Sequence, residues 1–324
     1  MGLVRILLPL PRAAARLAPG RGGPLLGAAL SHCVTPSWAG LRSPSAARRL
    51  AWADEAVAVY RATADTDGLG RALALRAHAL LLSGRHEEAH AATAAVPDQE
   101  SPALTAFLGD VRAQALAAMG RVEEAVPVAH ACVEAYRALS APDRRDRALG
   151  SLPGALRTYG MLLAAVGRGE ESVAVYEECA ALLAAMSLRE LAHVELVRPR
   201  VLAELVGGLR ASGRHSDALG VGPEAREALR GAVAWTAPET VLPLRVRLLV
   251  DLSRCHLATG DPVEARACAV EAVSEARRPL AASALPSALA CLADVLGELG
   301  EGDKEAGIRR ELAAPAADFT ADQT

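Results

Sequence analysis

The stretch Pro153–Cys179 reads PGALRTYGMLLAAVGRGEESVAVYEEC, and its punctuation decides the fold. An apolar run with helical spacing ends at Val166-Gly167. A basic residue, two acidic residues and a small residue (Arg168, Glu170, Glu171, Ser172) then open a second apolar run. Glycine tolerates the left-handed conformation that ends a helix, where a side chain is penalised. Acidic residues in the next first turn complement the positive end of that helix's dipole. The unit is therefore helix, tight turn, antiparallel helix.

The same sentence is written five more times. LLLSGRHEEAH, LAAMGRVEEAV, LRASGRHSDAL and HLATGDPVEAR repeat it closely, and LGELGEGDKEAG repeats it more weakly. The punctuating glycines are Gly84, Gly120, Gly167, Gly213, Gly260 and Gly300, spaced by 36, 47, 46, 47 and 40 residues. Self-similarity at this period signals stacked helix pairs, since one pair cannot bury its apolar stripe alone. The expectation is an all-α, right-handed superhelical solenoid of antiparallel helix pairs over residues 51–313. The small residues Ala89, Ala125, Ser172, Ala218 and Ala265 share one place in the repeat, where paired helices approach closely. Cys132 and Cys179 share another, which marks them as packing residues.

These residues resemble the tetratricopeptide repeat. Leu156, the pair Tyr159-Gly160, Leu163, Gly167, Glu171, Ser172, Tyr176 and Cys179 fall at that family's key places. The large residue of the first helix is mostly Leu and never Trp. The spacing of 46–47 residues adds about 12 to the family's ~34, as in SAPDRRDRALGS before Pro153, and is similar to the long-spaced arrays of actinobacterial tetratricopeptide proteins. Prolines open three first helices, at Pro153, Pro199 and Pro286, where a missing N–H costs nothing.

Outside the repeats the composition changes. Residues 1–53 contain seven arginines and no acid, whereas the rest carries a balance of −10 within an overall charge of −3. The Pro/Gly/Ala-rich opening lacks a helical period and predicts a disordered or targeting leader over 1–50. WADEAVAVYRATA, from Trp52, reads as a second helix whose partner would fall in that leader. The tail 314–324 is short, acidic and expected to fray.

Several function classes are excluded by composition. Lys304 is the only lysine, so no phosphate-binding loop of the G-x-x-x-x-G-K-[ST] type exists. Near-neutral charge opposes a nucleic-acid binder. Six cysteines include no C-x-x-C pair, which suits a reducing, cytoplasmic setting. His86-Glu87-Glu88-Ala89-His90 matches the zinc-hydrolase motif H-E-x-x-H. Aligned copies read V-E-E-A-V and G-E-E-S-V, so the repeat's own turn supplies its core. No catalytic residue, metal or cofactor is expected.

First helices of such arrays line a groove. Counting from the glycines puts Arg157, Arg200, Arg210, Arg247 and Arg254 on that wall, joined by Glu204 and Asp251. Guanidinium rows suit an acidic or carboxylate-ended peptide; the competing reading is a solvated, salt-bridged helix face. The family's chaperone-binding members clamp a carboxylate with Lys and Asn. This chain has no Asn, so that clamp does not carry over. The expected function is a non-enzymatic scaffold binding a protein or peptide, with no nucleic acid, and no membrane unless the leader targets it. The alternative is a sensor that binds a small peptide or ligand and acts through a partner effector.

Overall fold

In the computed structural model all six punctuating glycines have positive φ, between 71° and 80°. Open space surrounds each, so the left-handed backbone and not crowding demands glycine there. The following residue donates its N–H to the carbonyl five positions back at 2.8–3.0 Å, as in Arg168 to Leu163 and Asp261 to His256. That bond closes the helix and aims the chain back antiparallel.

The structure describes residues 15, 19–34, 45–96, 101–139, 150–186, 197–235 and 238–313. They contain helices and turns and no strand. The chain divides into two units, residues 1–197 and 198–324.

Unit 1 holds α1 (Pro19–Val34), α2 (Ala46–Thr63), α3 (Thr66–Leu82), α4 (His86–Ala94), α5 (Pro102–Ala118), α6 (Val122–Ala138), α7 (Leu152–Ala165) and α8 (Gly169–Ala185). Each helix packs on the next, and the first helices also pack side by side: α1 on α3, α3 on α5, α5 on α7. One core joins Leu26, Leu30, Trp52, Tyr60, Leu75, Leu80, Leu104 and Phe107. A second joins Leu116, Ala125, Ala129, Leu162 and Leu163.

Unit 2 holds α9 (Val197–Ala211), α10 (His215–Trp235), α11 (Pro238–Ala258), α12 (Pro262–Ala276), a 3-10 turn (Pro279–Ala284), α13 (Leu285–Glu298) and α14 (Gly302–Ala313). Its core gathers Leu242, Val246, Leu249, Ala269, Leu289, Leu292 and Leu296. Pro279–Glu298 is the one stretch among the described residues long and apolar enough to span a membrane, yet a helix break divides it and its leucines build this core.

The expected small positions are buried: Ala89, Ala125, Ala218 and Ala265 are fully enclosed and Ser172 is 1% exposed. Ser172 spends its hydroxyl on the Gly160 carbonyl at 2.7 Å. Cys132 and Cys179 are buried as well, each donating to a carbonyl of its repeat's first helix, Ala106 and Pro153. Burial pushes the thiols of Cys132, Cys255, Cys268 and Cys291 upward, away from the reactive thiolate.

The leader departs from its expectation. Residues 19–34 form a helix, and Leu26 and Leu30 are buried against α2. A Cβ on Gly27 would stand 2.6 Å from the Tyr60 ring, just as one on Gly160 would stand 2.7 Å from Tyr176. The Gly–Tyr contact of the best repeat copy therefore recurs between α1 and α2, which form a first helix pair. Composition hid it because the helix carries prolines and glycines, while its apolar residues find their partners across a long connection. Residues 1–14, 16–18 and 35–44, the insert before Pro153 and the tail 314–324 lie outside the described residues.

Candidate functional site

The turns explain the metal-like motif first. Arg85 pairs with Glu88 through two hydrogen bonds of 2.6 and 2.5 Å. Arg121–Glu124, Arg168–Glu171 and Arg214–Asp217 repeat the pair. An arginine at the start of a second helix cannot accept from the backbone as a capping side chain would, and none does at Arg85, Arg121 or Arg168. It ties down the first turn's carboxylate instead, and this bond holds Glu88, Glu124 and Glu171 below the usual carboxylate range. Asp261, in the fifth turn, caps through its side chain, accepting from the Glu264 N–H at 3.1 Å. The two variable positions of H-E-x-x-H are thus repeat structure, Glu88 a turn residue and Ala89 a buried contact. Among the described residues no three potential ligands converge on a metal position.

The predicted wall residues fall in both units. In unit 2, Arg200 and Arg247 occupy the same place ahead of Gly213 and Gly260, as do Glu204 and Asp251. Asp251 is buried and accepts from Arg210 Nε at 2.7 Å, so this pair stitches α9 to α11. Gly207 leaves room for it: a Cβ there would lie 3.2 Å from Asp251 Oδ2. Glu204 is looser, with Oε1 3.9 Å from Arg247 and Oε2 sheltered without a hydrogen-bond partner. Arg247 and Arg254 are exposed on α11, Arg200 half-buried on α9. The structure thus brings six of the seven residues onto two adjacent helices, with carboxylates below and arginines outward. Arg157 is on α7 of unit 1 and joins a different group.

Counting from the glycines on α3 and α5 as well would have found that group. His78 stands ahead of Gly84 as Arg254 does ahead of Gly260, and Asp110 ahead of Gly120 as Arg157 does ahead of Gly167. The His78 and Phe107 rings lie 5.7 Å apart, tilted by 60°. Burial and then the nearby Arg49 guanidinium press His78 down to about 4, so it is neutral at neutral pH. One turn beyond Phe107, Asp110 Oδ2 accepts from Gln114 Nε2 at 2.9 Å. Its Oδ1 is sheltered and has no hydrogen-bond partner. Burial pushes this carboxyl upward, against the opposing pull of Thr158, Arg157 and Gln114. The Thr158 hydroxyl, although close, donates to the Gly154 carbonyl at 3.2 Å.

No family model and no curated protein matches the chain. Solved structures do. The apo form of RapI aligns with a TM-score of 0.63 at 11% identity, over 82% of this chain and 70% of that one. NprR in complex with its cognate peptide NprX aligns at 0.54 and 10%, over 91% and 77%. The APC/C hetero-tetramer Cut9-Hcn1 aligns at 0.55 and 13%, over 88% and 46%. At such identities the likeness concerns the fold, which is a tetratricopeptide-like helical-repeat solenoid.

Proposed function

We propose that the protein is a non-enzymatic scaffold that binds a protein or peptide on the first-helix face of unit 2. The observation that carries this reading is the layered charge of α9 and α11. Arg210 is spent on buried Asp251, while Arg254 is exposed and Arg247, exposed as well, is held only by a long 3.9 Å ion pair to Glu204. Arginines held over a structured wall suit bidentate capture of carboxylates, so the partner is acidic or ends in a carboxylate. Nucleic acid is disfavoured by a body whose overall balance is negative. The motif begins a helix at a repeat turn whose other copies carry the same acidic core, which supports the non-enzymatic reading, and a cytoplasmic setting suits buried thiols that form no disulfide among the described residues.

A second reading has its own observation. NprR, which shares the fold across most of this chain, was solved with a cognate peptide. By that likeness the protein is a sensor whose peptide-bound state acts on a separate effector.

The test uses a synthetic acidic peptide with a free carboxyl end, and its amidated, glutamine-substituted counterpart. Affinity for the acidic peptide should fall as salt rises from about 50 to about 300 mM, because the attraction is screened. The double variant Arg247→Glu/Arg254→Glu should lose at least about tenfold in affinity with helicity unchanged, a difference of about 1.4 kcal/mol. Equal binding by that variant, or by the neutral peptide, would overturn the site.

A further inference from the structure

Solvent reaches the middle of α11 at two points, and both are arginines. From Val246 to Cys255 every residue is buried except Arg247 and Arg254. They stand seven residues apart in one helix, and Pro243 lies before both, so the turns between them are regular. Seven residues are two turns, which puts both side chains on one face with their stems about 10.5 Å apart along the axis. Arg254 makes no ion pair or hydrogen bond among the described residues. Arg247 makes one long pair, from Nη2 to Glu204 Oε1 at 3.9 Å. The charge between the two has the opposite sign. Asp251, one turn from each, is buried and bonded to Arg210, and Glu204 stands at the same repeat position on the adjacent α9. On the other flank Asp294 of α13 is engaged by Arg309 at 3.5 Å.

Along α11 the wall therefore reads positive, negative, positive. Such a pattern attracts acids at its ends and repels them from its middle, so it selects spacing as well as charge. Backbone geometry converts the spacing into a sequence. A polyproline II segment brings residue i+3 back to the same side after about 9.3 Å. A β-strand turns residue i+3 to its opposite face. A helix needs eight ordered residues to span the same distance, where polyproline II needs four. We infer, resting on the acidic-peptide reading above, that this face recognises a polyproline II segment carrying two acidic side chains three residues apart with no acid between them. Arg247 and Arg254 each take one carboxylate through paired N–H donors. The residues between the acids pass Asp251 and Glu204 and are neutral or basic.

The experiment titrates the full-length protein with oligoproline peptides, capped at both ends, that serve as rulers. Each carries two Glu, adjacent, three apart or six apart, which sets the acids about 3, 9 or 19 Å from each other at constant net charge. The three-apart ruler should bind at least about fivefold more tightly than the other two. A third Glu placed between its acids should bring no gain, although the net charge grows. Arg254→Ala, at an exposed position, should melt as the parent does. It should bring the three-apart ruler down to the level of the others and change the six-apart ruler by no more than about threefold. Equal affinity for all spacings, a gain with each added Glu, or indifference of the three-apart ruler to Arg254→Ala would overturn the inference and leave the acidic-peptide reading standing. If the rulers fail to bind while the synthetic acidic peptide of the preceding test binds, the inference alone falls. If that peptide fails as well, the underlying reading falls with it.

Discussion

The two units are written with one turn but differ in how they treat buried charge. In unit 2 the wall carboxylates face arginines: Asp251 is bonded to Arg210, and Glu204 lies 3.9 Å from Arg247 although its second oxygen has no hydrogen-bond partner. In unit 1 the corresponding stretch keeps Asp110 half satisfied and drives His78 neutral. The repeat fixes where a side chain stands on a first helix. The neighbouring helix then decides whether a charge there is paired, suppressed or left waiting.

The comparison can be tested from its ends inward. The largest effect should come from unit 1's extra helix pair. A chain starting at Leu50 loses α1 and uncovers the surface that Leu26 and Leu30 bury. Two such side chains are worth about 3–6 kcal/mol together, so unit 1 should lose cooperative urea unfolding, followed through Trp52 fluorescence and hydrogen exchange. Unchanged unfolding would detach α1 from the core.

Next is the paired charge of unit 2. Arg210→Ala leaves Asp251 enclosed without its partner. Stranding a buried charge costs about 3–5 kcal/mol, and partial exposure of Arg210 places the expectation near about 3. Hydrogen exchange should report the loss in α9 and α11. A loss below about 1 kcal/mol would mean the pair is not structural.

The smallest effect is the suppressed charge of unit 1. His78 has a folded value of about 4, below the ordinary 6.5. Between those values the unfolded chain binds a proton that the folded chain refuses, so stability is fully present above the unfolded value and declines as pH falls below it. From pH 7 to about 4.5 the loss should be roughly 2–3 kcal/mol, and His78→Phe should flatten that part of the pH profile. A variant with the parent's slope would place the titration elsewhere.

Much of this protein was legible in its residues. The six glycines marked every described turn with positive φ at glycine, and the small positions from Ala89 to Ala265 marked the close contacts, because both are local requirements repeated many times. Arg200, Arg247, Glu204 and Asp251 were placed on first helices by counting alone. Three things were not legible. Helix α1 was read as a leader because its partner Tyr60 lies across a connection of irregular length. The row of arginines read as one positive stripe because pairing such as Arg210–Asp251 links residues 41 apart. The Asp110 group escaped notice because an orphan is defined by what neighbouring helices fail to supply.

By itself the sequence determined the periodic part: where helices end, which face is apolar, and where small residues must stand. Those follow from backbone sterics and burial within a single repeat. Only the tertiary structure decided that α1 belongs to the array, that Asp251 is satisfied, and that Asp110 and His78 are not. Such outcomes depend on desolvation and charge contributed by distant segments, and no local pattern encodes that sum.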